Sequence, residues 1–192
     1  MSTTAIPMGI GQLGLNNQVF KRKFRWTLQF TNICGGGTTP IPPYYVKVAS
    51  RPSIDIEEEE INYLNAVDWI PGKGRWDTME VTYLDVASTA IAPLYSWLAS
   101  VYNFTSPITL KQGSARSDYT GTGLLTLYDG CGQPLEKWTM QNMWPKAINW
   151  GDLAYEDSGI CDITITFRYS AVSYLPICPS FPITNCCTPC NF

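Results

Sequence analysis

The chain has 192 residues, enough for one well-buried domain and short for two. A net charge of −3 gives no overall basic footprint for nucleic acid, and no run of 18 apolar residues offers a membrane span. Charged residues make up 15% and aromatics 13%, whereas soluble domains usually carry about 25% charged residues. Sparse charge with seven Trp and eleven Tyr fits a chain whose surface is partly buried against copies of itself. The plainer alternative is an aromatic core.

Met1–Leu15 lacks a basic start and a continuous apolar stretch, so no signal peptide is expected. Synthesis is then expected in the cytosol, where thiols stay reduced. The seven cysteines lie at 34, 131, 161, 178, 186, 187 and 190. An odd number at such spacing is not a closed disulfide framework.

Residues 1–17 read as an extended arm rich in small residues. Gly9, Gly11 and Gly14 match the spacing of a dinucleotide fingerprint. That motif needs a strand before it and a helix after it, and neither is expected here. Val19–Thr31 is the first predicted strand. Phe20, Phe24, Trp26, Leu28 and Phe30 fall on one face, and Lys21, Lys23, Arg25, Thr27 and Gln29 on the other. The basic face is either solvated or a docking stripe for an acidic neighbour.

Asn32–Pro43 is a loop broken by Gly and Pro, and Tyr44–Ala49 is a second strand. Residues 54–75 form a separate excursion. Asp55 and Glu57, Glu58, Glu59 and Glu60 place five carboxylates in six residues. A turn-rich basic and aromatic patch follows, with Trp69, Lys73, Arg75 and Trp76. Calcium loops space their ligands around a Gly at a sharp turn, and that spacing is absent. Self-repulsion among the carboxylates predicts an exposed segment whose partner lies on another chain. An idle solvated loop is the alternative.

Trp76–Val86 returns as a strand. Residues 89–103 are the one predicted helix, with Ile91, Leu94, Tyr95, Leu98, Val101 and Tyr102 as an apolar stripe. Ser88 or Thr89 is the expected N-cap, and Pro93 fits the first turn. Such a helix should pack across a sheet face or an open barrel end. Lys111–Thr122 is polar and loop-like.

Leu124–Tyr128 and Leu135–Asn142 should pair as a hairpin around Asp129-Gly130-Cys131-Gly132. Pro145 cannot donate to a ladder, so the second strand is expected to stop near it. Cys161–Tyr169 alternates strictly. Cys161, Ile163, Ile165, Phe167 and Tyr169 point one way, and Asp162, Thr164, Thr166 and Arg168 the other. Residues 175–192 form a Pro- and Cys-rich tail without periodicity.

The chain has no histidine. That removes the commonest general base, the histidine-dependent triads and most catalytic zinc sites. Cys187 and Cys190 have redox spacing but no helix N-terminus to lower a thiol pKa. No nucleophile elbow or P-loop occurs, and no pair of carboxylates is singled out. The expectation is no enzyme, no cofactor and no metal.

One combination of segments resembles a known family. KRKFRW at 21–26, VKVASRP at 46–52, INYLN at 61–65 and WIPGKGRWDTMEVTYLDV at 69–86 are followed by LYDGCGQPLEKWT at 127–139. MWPKAINWGDLAY at 143–155 and ITITFRYSAVSY at 163–174 complete the set. In this order they resemble the tail tube proteins of contractile-tailed bacteriophages, over roughly Val19–Tyr174. The arm and the Cys/Pro tail depart from the pattern.

The resemblance implies a mainly β protein. Its fold would be an antiparallel β-sandwich or barrel with one amphipathic helix, at 18–174. It implies a structural virion protein forming stacked hexameric rings, with strands of the subunits joined in one ring-wide β-barrel. The tube would be a conduit for DNA ejection, sheathed outside by a tail sheath protein. A tape-measure protein and then double-stranded DNA would occupy the lumen. Synthesis would be in the host cytoplasm, and no membrane is involved.

By this resemblance 54–75 makes inter-subunit or inter-ring contacts. Glu57, Glu58, Glu59 and Glu60 would pair with basic groups such as Lys21, Lys23, Arg25, Lys73 or Arg75 of a neighbour, and Trp69 is a further contact candidate. Asp162, Thr164, Thr166 and Arg168 would face the lumen or the next subunit. A net negative ring would not hold phosphate tightly, which suits a conduit. Related alternatives are a tube-initiating baseplate protein or an effector-tube protein. An alternative of another class is a carbohydrate-binding β-sandwich using Trp69, Trp76, Trp144 and Trp150.

Overall fold

The computed structural model describes residues 21–33, 41–87, 89–104, 115–156 and 158–177. The arm with its glycine motif, Ser88 and the tail cysteines lie outside them. The strands are β1 (Trp26–Thr31), β2 (Val46–Ala49), β3 (Ile54–Tyr63), β4 (Ala66–Trp76), β5 (Met79–Leu84), β6 (Gly121–Tyr128), β7 (Pro134–Asn149), β8 (Asp162–Arg168) and β9 (Ala171–Pro176). One α-helix is described, α1 (Ala92–Val101), entered through a 3-10 turn at Thr89–Ile91. Among the described residues seven strands share a sheet in the order β1-β6-β7-β8-β5-β2, with β9 on β7, while β3 and β4 pair only with each other. The fold is mainly β with antiparallel pairing, as the sequence predicts.

Two compact units divide the chain. The larger holds Thr27–Leu125 and Trp138–Ser173. Its core follows from the period-two pattern of β8. Ile163, Ile165 and Phe167 are fully buried, opposite the equally buried Tyr83, Val81 and Met79 of β5. The alternate residues Asp162, Thr164, Thr166 and Arg168 are only half-buried. The α1 helix covers the apolar side. Trp97 sits 5.5 Å from the Phe30 ring and 5.3 Å from the Phe167 ring, and its indole N–H donates to the Tyr119 carbonyl at 2.8 Å.

Several boundaries differ from the sequence reading, each for a physical reason. The first strand begins at Trp26, not Val19. Arg25 N–H closes a turn on the Arg22 carbonyl, and Phe24 is 74% exposed. Four cations within five residues repel one another, and a turn spreads them into water better than a strand face does. Lys21, Lys23 and Arg25 therefore do not form a strand stripe. The second strand starts at Val46, after a 3-10 turn over Pro43–Tyr45. The helix is shorter than 89–103. Its N-cap is Ile91, without a side-chain cap bond, so Thr89 does not serve, and Ser88 lies outside the described residues.

Pro145 does not end β7, which runs on to Asn149. The register against β8 shifts between Pro145 and Ala147, and a bulge is where a sheet tolerates a residue that cannot donate. Trp76 closes β4 rather than opening the next strand, which starts at Met79. Cys161 lies exposed just before β8. A strand at Ala171–Pro176 was not expected, and it runs two residues into the stretch read as tail.

Tyr83 carries a pH-dependent prediction. Its side chain is 0% exposed, and its hydroxyl finds no hydrogen-bond partner among the described residues. Burial holds the phenol well above its ordinary pKa of 10.0. The unfolded chain ionises near the ordinary value while the folded chain resists, so this contribution is intact below it and falls as pH climbs above it. Tyr83→Phe should flatten that alkaline loss and raise stability at neutral pH by about 1 kcal/mol. Urea melts at neutral and alkaline pH measure both; an unchanged alkaline slope would contradict the assignment.

The smaller unit holds Met1–Trp26, Thr126–Lys137 and Tyr174–Phe192. The β6–β7 turn is built on Asp129, whose Oδ1 accepts from the N–H groups of Cys131 and Gln133 at 2.8 Å each. Gly132 supplies the left-handed residue at φ 83°. Glu136, 1% exposed, pairs with Lys21 and accepts from the Tyr174 hydroxyl at 3.3 Å.

Candidate functional site

Residues 54–76 carry most of the predicted contact candidates. They fold as a tight antiparallel hairpin rather than an acidic loop followed by a turn-rich patch. Glu60 lies opposite Trp69, Glu58 opposite Pro71 and Asp55 opposite Arg75. Pro71 and Gly72 make no turn. The register slips by one residue between Ile56 and Glu58, and that bulge absorbs the proline. A Cβ on Gly72 would come within 3.1 Å of the Glu57 carbonyl, a tight approach that glycine relieves at the bulge.

The real turn is Leu64-Asn65. Leu64 holds φ 53° with 91% of its surface exposed. A leucine at left-handed φ costs about 1–2 kcal/mol, and two-residue turns usually put glycine or asparagine at such positions. Leu64→Gly should therefore slow amide exchange along 54–76, equivalent to about 1 kcal/mol of local stability. Faster exchange in the variant would show that the strain is not there.

Every residue of β3 is exposed, and so is every residue of β4 except Trp76. Large apolar side chains lie among them: Tyr63 is 74% exposed, Ile56 and Trp69 55% each, Val67 54%. Trp76 packs on Tyr169 at 6.2 Å between rings. Arg75 donates to Glu57 at 3.2 Å within the hairpin. Of the basic candidates elsewhere, Lys21 is paired with Glu136, and Lys23 is exposed. Arg25 lies over the Phe24 ring at 5.2 Å.

The second candidate surface is the polar side of the sheet, opposite α1. Thr164 faces Thr82 on β5 and Asn149 on β7, while Thr166 faces Glu80 and Ala147. The Thr82 and Thr164 hydroxyls are 3.4 Å apart. Lys47 on β2 donates to Asp162 at 2.5 Å, which cancels two of the face's charges. Thr82, Thr164 and Thr166 give this face small hydroxylated side chains, and Glu80 and Arg168 add charges of opposite sign to it.

Among the described residues no three of His, Cys, Asp or Glu cluster as metal ligands. No described helix is long and apolar enough to cross a membrane. An open hollow on an exposed loop is lined by Asp152, Leu153, Tyr155, Ile160 and Cys161. Of the four Trp read as a sugar platform, Trp76 packs on Tyr169, Trp144 on Tyr119 and Trp150 on Phe104. The sequence reading missed Tyr63, Leu64 and Val67. Their signal, large apolar residues flanking a two-residue turn, is visible only once 54–76 is read as one hairpin.

No family model matches the chain, and no curated relative does. Solved structures do match. A chain of the cryo-EM structure of the anti-feeding prophage baseplate aligns over 83% of this chain and 97% of its own, with TM-score 0.64 and 16% identity. A chain of the PVC sheath-tube complex, an extracellular contractile injection system in its extended state, covers 88% and 99%, with TM-score 0.57 and 14% identity. The SPP1 tail tube covers 79% and 77%, with TM-score 0.52 and 11% identity. The fold is one used in contractile injection machines and phage tail tubes. At these identities the likeness is one of fold. Near-complete coverage of the injection-system chains means that this chain has the whole of that fold and not a fragment of it.

Proposed function

We propose that this chain is a structural subunit of an inner tube, assembling as stacked hexameric rings that form a conduit inside a contractile sheath. The observation that carries this reading is the β3–β4 hairpin, a two-stranded sheet with apolar residues exposed on both faces and no covering element among the described residues of its own unit. An isolated hairpin of this kind is marginal in water. Packing against neighbouring copies would stabilise it.

Among the described residues β1 and β2 end the path of the larger sheet, and joining subunits would likewise cover these edges. The polar face with Asp162, Thr164, Thr166 and Arg168 then lines the lumen, where tape-measure protein and double-stranded DNA pass. The hairpin makes the contacts between subunits or rings. The particle would be a virion tail, with the subunit made in the host cytoplasm, and the subunit itself non-enzymatic. A baseplate or cap position in such a machine is the second reading, favoured by the match to a baseplate structure.

Negative-stain electron microscopy of the purified protein tests both. Hollow tubes of open-ended length support the tube subunit, single closed rings support the baseplate or cap position, and a dispersed monomer at every concentration overturns both.

A further inference from the structure

The hairpin's two faces differ in a way the sequence hides. Side chains alternate along β3, so Glu58 and Glu60 share a face and Glu57 and Glu59 the other. Directly opposed residues share a face too, which places Trp69 and Pro71 beside Glu60 and Glu58. Glu57 is compensated by Arg75. Glu58 and Glu60 have no ion-pair partner among the described residues, and they stand about 7 Å apart beside the exposed Trp69 indole. Two carboxylates next to an indole suit a guanidinium, which pairs with carboxylate oxygens and stacks on an aromatic face.

The chain carries a matching group. The hairpin has six carboxylates and two cations, a net charge of −4 in a chain of −3, so the remainder is net positive. Its densest basic segment is the turn before β1. Lys21 there is taken by Glu136, whereas Arg22, Lys23 and Phe24 are exposed, and Arg25 is aligned on the Phe24 ring.

We propose that the Glu58, Glu60 and Trp69 face of the hairpin binds the Arg22-Lys23-Phe24-Arg25 turn of a second copy of this chain. The proposal rests on the self-assembly reading above and names the surfaces that it uses. Two different patches meet, so the contact is heterologous and propagates into rings or filaments instead of stopping at a dimer. Apolar neighbours on both sides, Val67 with Ile56 and Phe24, exclude water from the ion pairs and strengthen them.

The test uses two full-length variants, Glu58→Lys/Glu60→Lys and Arg22→Glu/Lys23→Glu, with sedimentation and electron microscopy as readouts. All four positions are exposed, so matched thermal melts should show that both variants fold. Each variant alone is expected to lose assembly, because like charges then face each other. Mixed in equal amounts they should co-assemble, because the lysine face of one meets the glutamate turn of the other and the remaining faces are native. Glu57→Gln/Glu59→Gln, on the opposite face, should assemble as the parent does. If the mixture stays dispersed while the parent assembles, or if either variant assembles alone at low salt, the proposed pairing is wrong. If the parent itself never assembles, the self-assembly reading fails instead.

Discussion

Trp97→Ala should lower the stability of the larger unit by about 3–5 kcal/mol, a fall of about 10 °C in melting temperature for a chain of this length. Trp97 is 0% exposed, and its ring is the wedge between α1 and the sheet, in contact range of both Phe30 and Phe167. Removing it loses the transfer free energy of the largest side chain in the core and leaves a void that rigid neighbours fill only in part. It also strips the Tyr119 carbonyl of the indole N–H that it accepts at 2.8 Å. Tyr155→Ala is the matched control, because that residue is fully exposed and should shift stability by no more than about 0.5 kcal/mol. Circular dichroism melts of the two variants decide it. Equal melting temperatures would mean that α1 does not depend on this wedge.

The same residue shows where the sequence was legible and where it was not. The periodicity predicts a helix stripe of Ile91, Leu94, Tyr95, Leu98, Val101 and Tyr102, and of these Ile91, Leu94 and Leu98 are buried. Tyr102, however, is 57% exposed, and Trp97 is the centre of the contact. The buried arc also takes in Pro93 and Trp97, so it is rotated away from Tyr102. Periodicity gives the width of a stripe better than its middle, because the middle is fixed by what lies across the interface. On β8 the case was easier. A strict period of two leaves only two faces, and Ile163, Ile165 and Phe167 sorted to the core as the pattern required.

Irregular backbone was hardest to read. Pro71-Gly72 and Pro145 look like chain breaks, yet both sit at register shifts inside strands. A sequence shows that a residue cannot join a ladder, but not whether the partner strand can step around it. The hairpin's two faces were hidden for the same reason, since four consecutive glutamates carry no contrast until the register against Trp69 is known.

Gly123→Ala is expected to cost about 1–3 kcal/mol by overpacking, although alanine is the better strand residue elsewhere. Gly123 is buried on β6. A Cβ there would lie 2.7 Å from the Met143 sulfur and 3.0 Å from the Met140 terminal methyl. Both methionines are 0% exposed, so neither can swing into solvent, and the flexibility that usually lets methionine yield is limited by the packing around it. The strain should therefore be carried by a pair and be relieved by shortening one member. In a double-mutant cycle, Met143→Ala is expected to cost stability alone, by the cavity it leaves, and to cost less in the Gly123→Ala background, where the new methyl group takes up part of the space. A coupling of about 0.5 kcal/mol or more, favouring the double variant, would show that Gly123 is kept small to seat Met143. Strict additivity of the two melts would place the requirement for glycine in the β6 backbone instead.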